Sequence, residues 1–435
     1  MKNKKLLLIV LVSVLPFVLV AQTWNEVGAG GFSAGEAYFQ NIEVYNDVPY
    51  VAYIDVANNK GATVMKFNGQ EWESIGDPGF TGKIEYLDFE IDNGVLYVAF
   101  SDGNKVSVMK SNGSTWETVG SPEIASSDIV ALTIHNEIPY VGFLDNEHGS
   151  RLSVKKLSGT GWEYVGTPGF SNLIYGVLDI VVGDNIYVGF RDSDEKASVM
   201  TYKNDTWSYV GSPNFGGYID SYKFLAVMNN IPYLASWDDE ARGMVYYWDG
   251  SMWAVLGNQA ITTGQATYLS IRFAPDGALY MVCNDQGIYP SVVVKKYEGE
   301  SWTSVGETAS KSHGNFCDIA FSSDGKPYIT YKDDWYMRRT TVMKYDNFNN
   351  VDETAQKILI SVSPNPAKDR IHFSGIKVNN NTKAKIFNTA GQLVLTADHI
   401  QDGIDISILD NGVYLIRLSE NNTITGTSKV VVNRD

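Results

Sequence analysis

Cysteine is almost missing from this chain, which has only two in 435 residues, Cys283 and Cys317. That count excludes a scaffold held by many disulfides and any cysteine-rich metal site. The five histidines are scattered, without an HExxH motif, and give no support to zinc chemistry. We interpret the two cysteines as buried thiols on strands of neighbouring repeats, with a disulfide between them as the alternative.

Basic residues are also scarce. The 34 lysines and arginines stand against 50 acidic residues, and removal of the three lysines in residues 1–21 takes the net charge from −16 to −19. Residues 351–435 hold 9 basic and 9 acidic residues, so the excess negative charge lies on the preceding part of the chain. An acidic surface repels phosphate backbones, and we therefore expect no nucleic-acid partner.

Long apolar runs are limited to one, from Leu6 to Val20, which follows three lysines and precedes Ala21. This is the layout of a secretory signal peptide, and fifteen apolar residues are too few to span a bilayer. We expect residues 1–21 to be removed after Ala21, with an uncleaved anchor as the alternative. No other stretch predicts a transmembrane segment.

One feature dominates what is present, a tryptophan inside the pattern W-x-x-[VIL]-G that recurs every 44 to 49 residues. The copies contain Trp24, Trp72, Trp116, Trp162, Trp207, Trp253 and Trp302. Each complete unit has four short runs of β character, separated by turn signals such as Asn68-Gly69. A four-stranded unit with this period is typical of a β-propeller blade.

The first and last copies complement each other, because the first has the tryptophan without the preceding strands and the last has the strands without the tryptophan. We predict that Thr23 to Val27 pairs with Thr341 to Tyr345 and closes the ring. The predicted fold is all-β, with a seven-bladed β-propeller of four-stranded blades over residues 22–346. An open solenoid is the alternative. The first strands are predicted to start near Asn41, Tyr86, Ile129, Gly176, Phe224, Leu269 and Cys317.

The period ends at a polar linker, residues 347–357, and residues 358–435 form a module of six or seven short strands. We predict a C-terminal immunoglobulin-like β-sandwich there. Its motifs occur in the order Pro364, Asn365, Pro366, then Gly391, Gln392, then Gly412, Tyr414, and finally Lys429. In this order they resemble the type A C-terminal sorting domain of proteins exported by the type IX secretion system of Bacteroidetes-type bacteria.

The resemblance implies a route and a set of partners. The signal peptide would take the chain across the inner membrane, and a translocon that reads the tail would take it across the outer membrane. A surface sortase would then remove the tail and leave the protein secreted or attached to the outer-membrane surface of a Gram-negative bacterium. An accessory immunoglobulin-like domain is the alternative, and it explains the strands but not the order of the motifs.

Every second strand of the repeat ends in an aspartate. A residue present in all copies favours a structural role, in which the carboxylate accepts hydrogen bonds from its own turn. Ligand binding is expected where the copies differ, on the loops after the second and fourth strands, which open on one face. The candidate ligand-binding residues are Asp145, Asp192, Trp237, Asp238, Asp333, Trp335 and Tyr336.

Aromatic rings beside acids suit the apolar face of a sugar, although Trp237 could equally pack between blades. Asp192, Asp194 and Glu195 give a weak indication of calcium, but the glycine and final glutamate of an EF-hand loop are missing. No other cofactor and no catalytic residue is predicted.

We expect an exported, monomeric binding module for a glycan or a protein. A carbohydrate-active hydrolase or lyase is the first alternative, and a structural surface-layer protein is the second. Converging buried carboxylates with a basic or tyrosine side chain at the mouth of the central channel would favour an enzyme. A shallow mouth lined by aromatic rings would favour binding.

Overall fold

The computed structural model describes residues 22–220, 222–257, 259–347, 361–374, 379, 382–388, 393–397, 400–420 and 423–434. These residues belong to two compact units, Thr23–Asp346 and a second one that contains Asn347–Asp435. The predicted signal peptide and all of the predicted linker after residue 347 lie outside the described residues.

The described part of Thr23–Asp346 is built from short antiparallel strands. Strand β1 is Gln22–Glu26. The first sheet contains β2 Ala37–Tyr45, β3 Val48–Asp55, β4 Gly61–Phe67 and β5 Trp72–Ser74. The second contains β6 Tyr86–Asp92, β7 Val95–Ser101, β8 Lys105–Ser111, β9 Trp116–Thr118 and a short additional strand, β10 Ala125–Ser126. The third contains β11 Val130–His135, β12 Ile138–Asp145, β13 Arg151–Ser158 and β14 Gly161–Tyr164.

The remaining sheets repeat this order. The fourth contains β15 Ile174–Val182, β16 Ile186–Asp192, β17 Ala197–Lys203 and β18 Thr206–Tyr209. The fifth contains β19 Leu225–Met228, β20 Ile231–Trp237, β21 Gly243–Trp248 and β22 Trp253–Val255. The sixth contains β23 Ala266–Phe273, β24 Leu279–Asp285, β25 Val292–Glu298 and β26 Ser301–Ser304. The seventh contains β27 Gly314–Phe321, β28 Pro327–Asp333 and β29 Arg339–Asn347, together with β1.

The N-terminal strand completes the last sheet, in which the order is β1-β29-β28-β27. The pairing predicted between residues 23–27 and 341–345 is present, and the backbone N–H of Val27 extends it by donating to the Val342 carbonyl at 2.9 Å. The first strands of successive sheets contact one another in chain order, and β27 contacts β2. The unit is therefore an all-β, propeller-like arrangement of four-stranded antiparallel sheets.

Several first strands begin before the predicted positions, and a bulge explains the difference. Strand β2 starts at Ala37 rather than near Asn41, and its pairing with β3 shifts register between Tyr38 and Asn41. The residue inside this bulge, Phe39, has a positive φ of 53°. A bulge interrupts the alternation of inward and outward side chains, so the sequence pattern becomes readable only after it. The same shift occurs in β15, β23 and β27.

The tryptophans of the repeat link each sheet to the one before it. Every indole Nε1 donates to the backbone carbonyl of the [VIL] residue in the preceding copy of the motif, because a buried indole N–H needs an acceptor. The bonds run from Trp24 to Val305, Trp72 to Val27, Trp116 to Ile75, Trp162 to Val119, Trp207 to Val165, Trp253 to Val210 and Trp302 to Leu256, at 2.7 to 3.2 Å. We call this cyclic series of bonds the tryptophan belt.

The glycine of the motif follows from the same contact. Gly76 has a φ of 70°, and a Cβ built on it would lie 2.9 Å from Cδ1 of Trp116 in the next copy. A larger residue would be strained in its backbone and would also displace the indole. Phe80, from the loop that follows, stacks on the same indole with ring centroids 4.2 Å apart. The pattern W-x-x-[VIL]-G therefore specifies the contact between one sheet and the next.

Buried aspartates join the first strands near the middle of the unit. The backbone N–H of Leu132, on the following sheet, donates to Asp88 Oδ2 at 2.7 Å. Asp179 accepts from Leu225 N–H in the same way, at 2.9 Å. Asp318 accepts from the N–H of Ile42 at 2.9 Å and so joins the seventh sheet to the first. Cys283 and Cys317 are buried free thiols, as their interpretation from the sequence predicted.

The described residues of the second unit form two antiparallel sheets. One contains β30 Ser361–Ser363, β31 Arg370–Ser374 and β34 Ile404–Asp405. The other contains β32 Thr382–Phe387, β33 Leu393–Ala397, β35 Gly412–Glu420 and β36 Thr423–Val432. Residues of both sheets, including Ile371, Ile404, Ile386 and Ile416, share one hydrophobic core.

Candidate functional site

The loops that follow second and fourth strands leave an antiparallel meander at the same end, because alternate strands run in opposite directions. We call the surface formed by these loops the loop face. It contains all of the ligand-binding residues predicted for the ring, Asp145, Asp192, Trp237, Asp238, Asp333, Trp335 and Tyr336.

Three of the loops begin with the same 3-10 turn, at Val56–Asn58, Asn146–His148 and Asp334–Tyr336. The buried aspartate before each turn accepts a hydrogen bond from the backbone N–H two residues later, at 2.9 to 3.1 Å. This is the N-cap role of a short polar side chain. The aspartates concerned are Asp55, Asp145 and Asp333, and their structural role is the one favoured from their presence in every copy.

The third residue of the turn determines which group hydrogen-bonds to the second carboxylate oxygen of the aspartate. In the first sheet, Asn58 Nδ2 donates to Asp55 Oδ2 at 2.8 Å. In the third sheet, a histidine occupies that position, and His148 Nδ1 lies 2.8 Å from Asp145 Oδ2. The hydroxyl of Tyr164 donates to the same oxygen at 3.1 Å. The third sheet therefore replaces an amide by an imidazole without changing the hydrogen bond.

Tyrosine at this position in the seventh sheet turns away from its aspartate. The hydroxyl of Tyr336 donates to Glu26 at 3.1 Å, and Lys311 donates to both of them. Burial raises the pKa of Asp333. Trp335 projects from the same turn with 60% of its surface exposed. Of the three residues predicted in this loop, Trp335 is the most exposed, and ligand binding by it stays a prediction.

Asp192 and Asp238 are also bonded within their own loops. Asp192 accepts from the backbone N–H of Asp194 at 3.0 Å and from the Ser198 hydroxyl at 2.9 Å. Asp238 accepts from the backbone N–H and the guanidinium of Arg242, both at 2.8 Å. Burial acts to raise the pKa of Asp238, but these bonds outweigh it and the pKa is lowered. Both carboxylates are thus engaged by protein groups.

Metal ligation has no preformed site in the part of the chain that the structure describes, where no group of three or more His, Cys, Asp or Glu side chains is placed to hold an ion. Asp194, one of the residues that suggested calcium, accepts a hydrogen bond from Asn214 Nδ2 at 2.7 Å. Calcium binding at this loop stays a prediction from the sequence.

The imidazole of His148 belongs to a small polar cluster. Its ring meets the ring of Tyr164 edge to face, with centroids 5.6 Å apart, and Lys155 Nζ lies 4.4 Å above the same tyrosine. Burial, followed by the charge of Asp145, raises the pKa of Tyr164 to about 12. Burial lowers the pKa of Lys155. The hydroxyl of Tyr164 therefore stays protonated near neutral pH.

Trp237 is half-buried and forms part of a stack. Its ring centroid lies 4.8 Å from that of Tyr218. The guanidinium of Arg191 lies 4.3 Å from the same Tyr218 centroid. Tyr175, which is exposed, is joined to this stack because its backbone carbonyl accepts from Arg191 Nε at 2.9 Å. The sequence predicted Trp237 but not the two neighbours that stack beside it.

Aromatic rings close the centre of the ring at the loop face. Neighbouring ring centroids are 4.7 to 5.3 Å apart, and the rings come from the starts of four first strands and from the segment before β19. The residues are Phe39, Tyr86, Tyr222, Tyr268 and Phe316. We call them the aromatic cluster. An aromatic residue at the start of first strands was the signal in the sequence that could have indicated it.

Charged side chains lie deeper along the first strands. Lys223 Nζ is 2.7 Å from Asp88 and 3.0 Å from Glu90, on the second sheet. Arg272, on the sixth sheet, lies 2.6 Å from Glu43 on the first. Burial raises the pKa of Glu43 to about 7, although Arg272 acts in the opposite direction. These pairs cross the interior of the ring.

A depression of about 230 Å³ opens at the opposite end of the ring, where the first strands finish. Its lining includes Glu43, Arg272, Phe273 and Phe321. None of the residues predicted as ligand-binding contributes to it. The loop face is therefore the surface on which the predicted residues and the aromatic cluster occur together.

The motif residues of the second unit meet at the last strand. Asn365 Nδ2 donates to the carbonyl of Lys429 at 3.0 Å, and its Oδ1 accepts from Val431 N–H at 2.9 Å. The buried Tyr414, two residues after Gly412, donates to the Asp410 carbonyl at 3.0 Å. The Pro364-Asn365-Pro366 turn thus fastens the C-terminal strand. Gly391 and Gln392 lie outside the described residues.

Comparison with known families identifies this second unit. Residues 361–433 match the family described as the secretion system C-terminal sorting domain. The chain therefore carries a type IX sorting domain and is a secreted or cell-surface protein of Bacteroidetes-type bacteria, as the sequence motifs predicted. Within the described residues, no helix is long and apolar enough to cross a membrane.

Other comparisons concern enzymes and a lectin. Funoran endo-beta-hydrolase of Wenyingzhuangia aestuarii is 34% identical over 87 residues, which is 19% of this chain and 12% of that protein. The chain thus spans a small part of that relative. A polysaccharide lyase, an ulvan lyase bound to -[GlcA(1-4)Rha3S]-, has a TM-score of 0.50 at 13% identity, covering 75% of this chain and 96% of its own.

The structural similarity to a lectin is weaker. A lectin of Aleuria aurantia in complex with Fucalpha1-6GlcNAc has a TM-score of 0.42 at 12% identity and covers 62% of this chain and 95% of its own. At 13% identity, the likeness to the ulvan lyase concerns the fold alone.

Proposed function

We propose that this protein is an exported glycan-binding module, in which the Thr23–Asp346 unit is a seven-bladed β-propeller and the loop face holds the ligand. The cyclic contacts of the first strands and the pairing of β1 with β29 support seven blades. The two sheets around one core support an immunoglobulin-like sandwich for the sorting domain.

The distribution of exposed apolar side chains carries the proposal. Among the described residues of Thr23–Asp346, seven large hydrophobic side chains are exposed. Five of them lie at the loop face. Leu173, Tyr289, Trp335 and Met337 are on loops that follow a second or fourth strand, and Tyr175 is at the start of the first strand β15. Exposed aromatic rings stack on the apolar faces of sugars, and their concentration on one face indicates a binding surface.

The aromatic cluster is the second support. It fills the centre of the ring at the loop face, so the ligand would lie across a shallow surface rather than in a deep cleft. Bound glycans commonly need such a platform together with polar groups at its edge. Lys311 and Glu26, which bond the hydroxyl of Tyr336, supply polar groups at the turn that carries Trp335.

A glycan array with residues 22–435 tests the proposal. Trp335→Ala and Tyr289→Ala should each weaken binding by about fivefold or more, because each removes an exposed stacking ring. Met252→Ala is the matched control, since Met252 is 62% exposed but lies in the turn before β22, at the opposite end of the sheet. Absence of any glycan binding, or an equal loss in the control, would refute the proposal and leave a protein ligand or a structural surface role.

A carbohydrate-active enzyme is the second candidate, and the pair of Asp145 with His148 favours it. A carboxylate that holds Nδ1 of a histidine leaves Nε2 available as a general base or acid. The test is incubation with polysaccharides, followed by measurement of reducing ends for a hydrolase and of unsaturated products for a lyase.

The matched variant is His148→Asn, because Asn58 makes the same bond in the first sheet. It should abolish turnover while preserving the fold if the histidine is catalytic. Equal turnover in the variant and the parent would exclude His148 from catalysis.

A further inference from the structure

One position on the loop face varies in charge among the sheets. It is the last residue before the aspartate that ends each second strand, and its occupants are Ile54, Ser101, Leu144, Arg191, Trp237, Asn284 and Lys332. Equivalent positions on a repeated sheet have equivalent surroundings, so the two cations can be compared directly.

Lys332 is neutralised inside the protein. Its ammonium lies 3.9 Å from the ring centroid of Tyr38, on the following sheet, and 2.8 Å from the carboxylate of Glu36. Only 7% of its side chain is exposed. The lysine is thus a structural cation, stacked on a tyrosine and paired with an acid.

Arg191 is stacked in the same way but lacks the acid. Its guanidinium lies 4.3 Å from the ring centroid of Tyr218, ahead of the following sheet. Nε donates to the Tyr175 carbonyl at 2.9 Å, and Nη1 donates to the Ile219 carbonyl at 3.0 Å. Among the residues that the structure describes, Arg191 forms no ion pair. Carbonyl groups orient a guanidinium without cancelling its charge.

The remaining nitrogen has an open approach. Arg191 Nη2 lies beside Gly176, where a Cβ would come within 3.1 Å of it. Gly176 is exposed and has a φ of 70°. Because position 176 has no side chain, none covers Nη2 from this side, and Tyr175, the residue before it, is exposed.

We infer that Arg191 makes the loop face selective for anionic sugars, which carry a sulfate ester or a uronic acid carboxylate. Nη2 would donate to an anionic oxygen, while Tyr175 would contact the sugar ring. Arginine suits planar or tetrahedral oxyanions because it offers several donors in a fixed geometry. The chain has a net charge of −16, so a guanidinium that forms no ion pair with any residue the structure describes is a local attractor for anions.

This inference rests on the proposed glycan-binding function and adds the class of ligand. The test uses residues 22–435 and glycan pairs that differ in one group. Dextran sulfate is compared with dextran, and polygalacturonate with its methyl ester, beside an array that contains sulfated, uronate and neutral glycans.

Arg191→Leu introduces the residue found at the same position in the third sheet, so the strand should fold. It should lower binding of the charged glycans by roughly tenfold or more and change binding of neutral glycans little. Arg242→Leu is the control, because it removes the same charge from the same face but from a guanidinium paired with Asp238. Should Arg191→Leu unfold, Arg191→Lys, which keeps the charge and cannot reach both carbonyls, should show an intermediate loss.

The outcomes separate the two proposals. A preference for dextran sulfate alone, or for polygalacturonate alone, supports the inference and identifies the anionic group. Equal binding of charged and uncharged members, or an equal loss in the two leucine variants, overturns it and leaves glycan binding intact. No binding of any glycan refutes the proposed function and the inference with it.

Discussion

The tryptophan belt and the loop face contain corresponding positions from every sheet of the propeller-like unit but use them differently. On the belt, each indole forms the same bond to the preceding copy, from Trp24 to Val305 and from Trp72 to Val27 onward. On the loop face, the position before the strand-end aspartate holds an arginine, a tryptophan, a lysine and four other residues. Uniform positions hold the sheets together, and the variable ones provide the chemistry that a ligand could distinguish.

Replacing a belt tryptophan should give the largest effect on stability. Trp253 is buried, donates to the Val210 carbonyl at 2.7 Å and stacks on Phe215 at 3.9 Å. Trp253→Ala should lower the free energy of unfolding by about 3–5 kcal/mol, measured by urea denaturation. Trp335→Ala, on the loop face, should change it by no more than about 0.5 kcal/mol. Similar losses in both variants would contradict the distinction between belt and loop face.

The charges inside the ring predict an intermediate effect that depends on pH. Burial raises the pKa of Glu43 and of Asp179 from their ordinary values to about 7. The folded state therefore holds these protons more tightly than the unfolded chain. Their contribution is fully present below the unfolded pKa of about 4 and is lost as pH rises through about 7.

The free energy of unfolding should accordingly be lower at pH 8 than at pH 5. Glu43 should account for about 1–3 kcal/mol of that difference. Glu43→Gln should reduce that difference. Glu117→Gln is the control, because the Glu117 side chain is 71% exposed. A pH dependence that Glu43→Gln leaves unchanged would show that Glu43 is not one of the titrating groups.

The smallest effect is expected at the third loop. His148→Asn should change the free energy of unfolding by no more than about 0.5 kcal/mol, because Asn58 forms the corresponding bond in the first sheet. His148→Ala should cost about 1 kcal/mol, since Asp145 then loses one of its donors. Thermal or urea unfolding distinguishes the two. A large cost for the asparagine variant would mean that the two loops are not equivalent.

Much of the scaffold was predictable because its signals are local. The tryptophan period predicted the sheets, Asn68-Gly69 lies between β4 and β5, and the incomplete copies at residues 23–27 and 341–345 predicted the pairing of β1 with β29. The structural role of the strand-end aspartates followed from their presence in each copy. The sorting domain was recognisable because its motifs keep a fixed order near the chain end.

The candidate site was less predictable because it depends on which side chains meet. Trp237 and Trp335 stood out as residues that break the repeat, but the aromatic cluster arises from bulges that place Phe39, Tyr268 and Phe316 toward one centre. Ligand binding by Tyr336 stays a prediction, and no motif in the sequence indicated that its hydroxyl donates to Glu26, 310 residues away. Such pairings have no local signal.

The sequence by itself determined the tryptophan belt, the pairing of the two incomplete copies and the C-terminal sorting domain. Each depends on motifs of a few neighbouring residues or on the fixed order of such motifs. The tertiary structure decided which charges are neutralised. Lys332 and Arg191 occupy the same strand position and stack on equivalent tyrosines, yet among the described residues only the lysine forms an ion pair, with Glu36. That difference comes from segments distant in the chain, which only the closed packing of the sheets brings together.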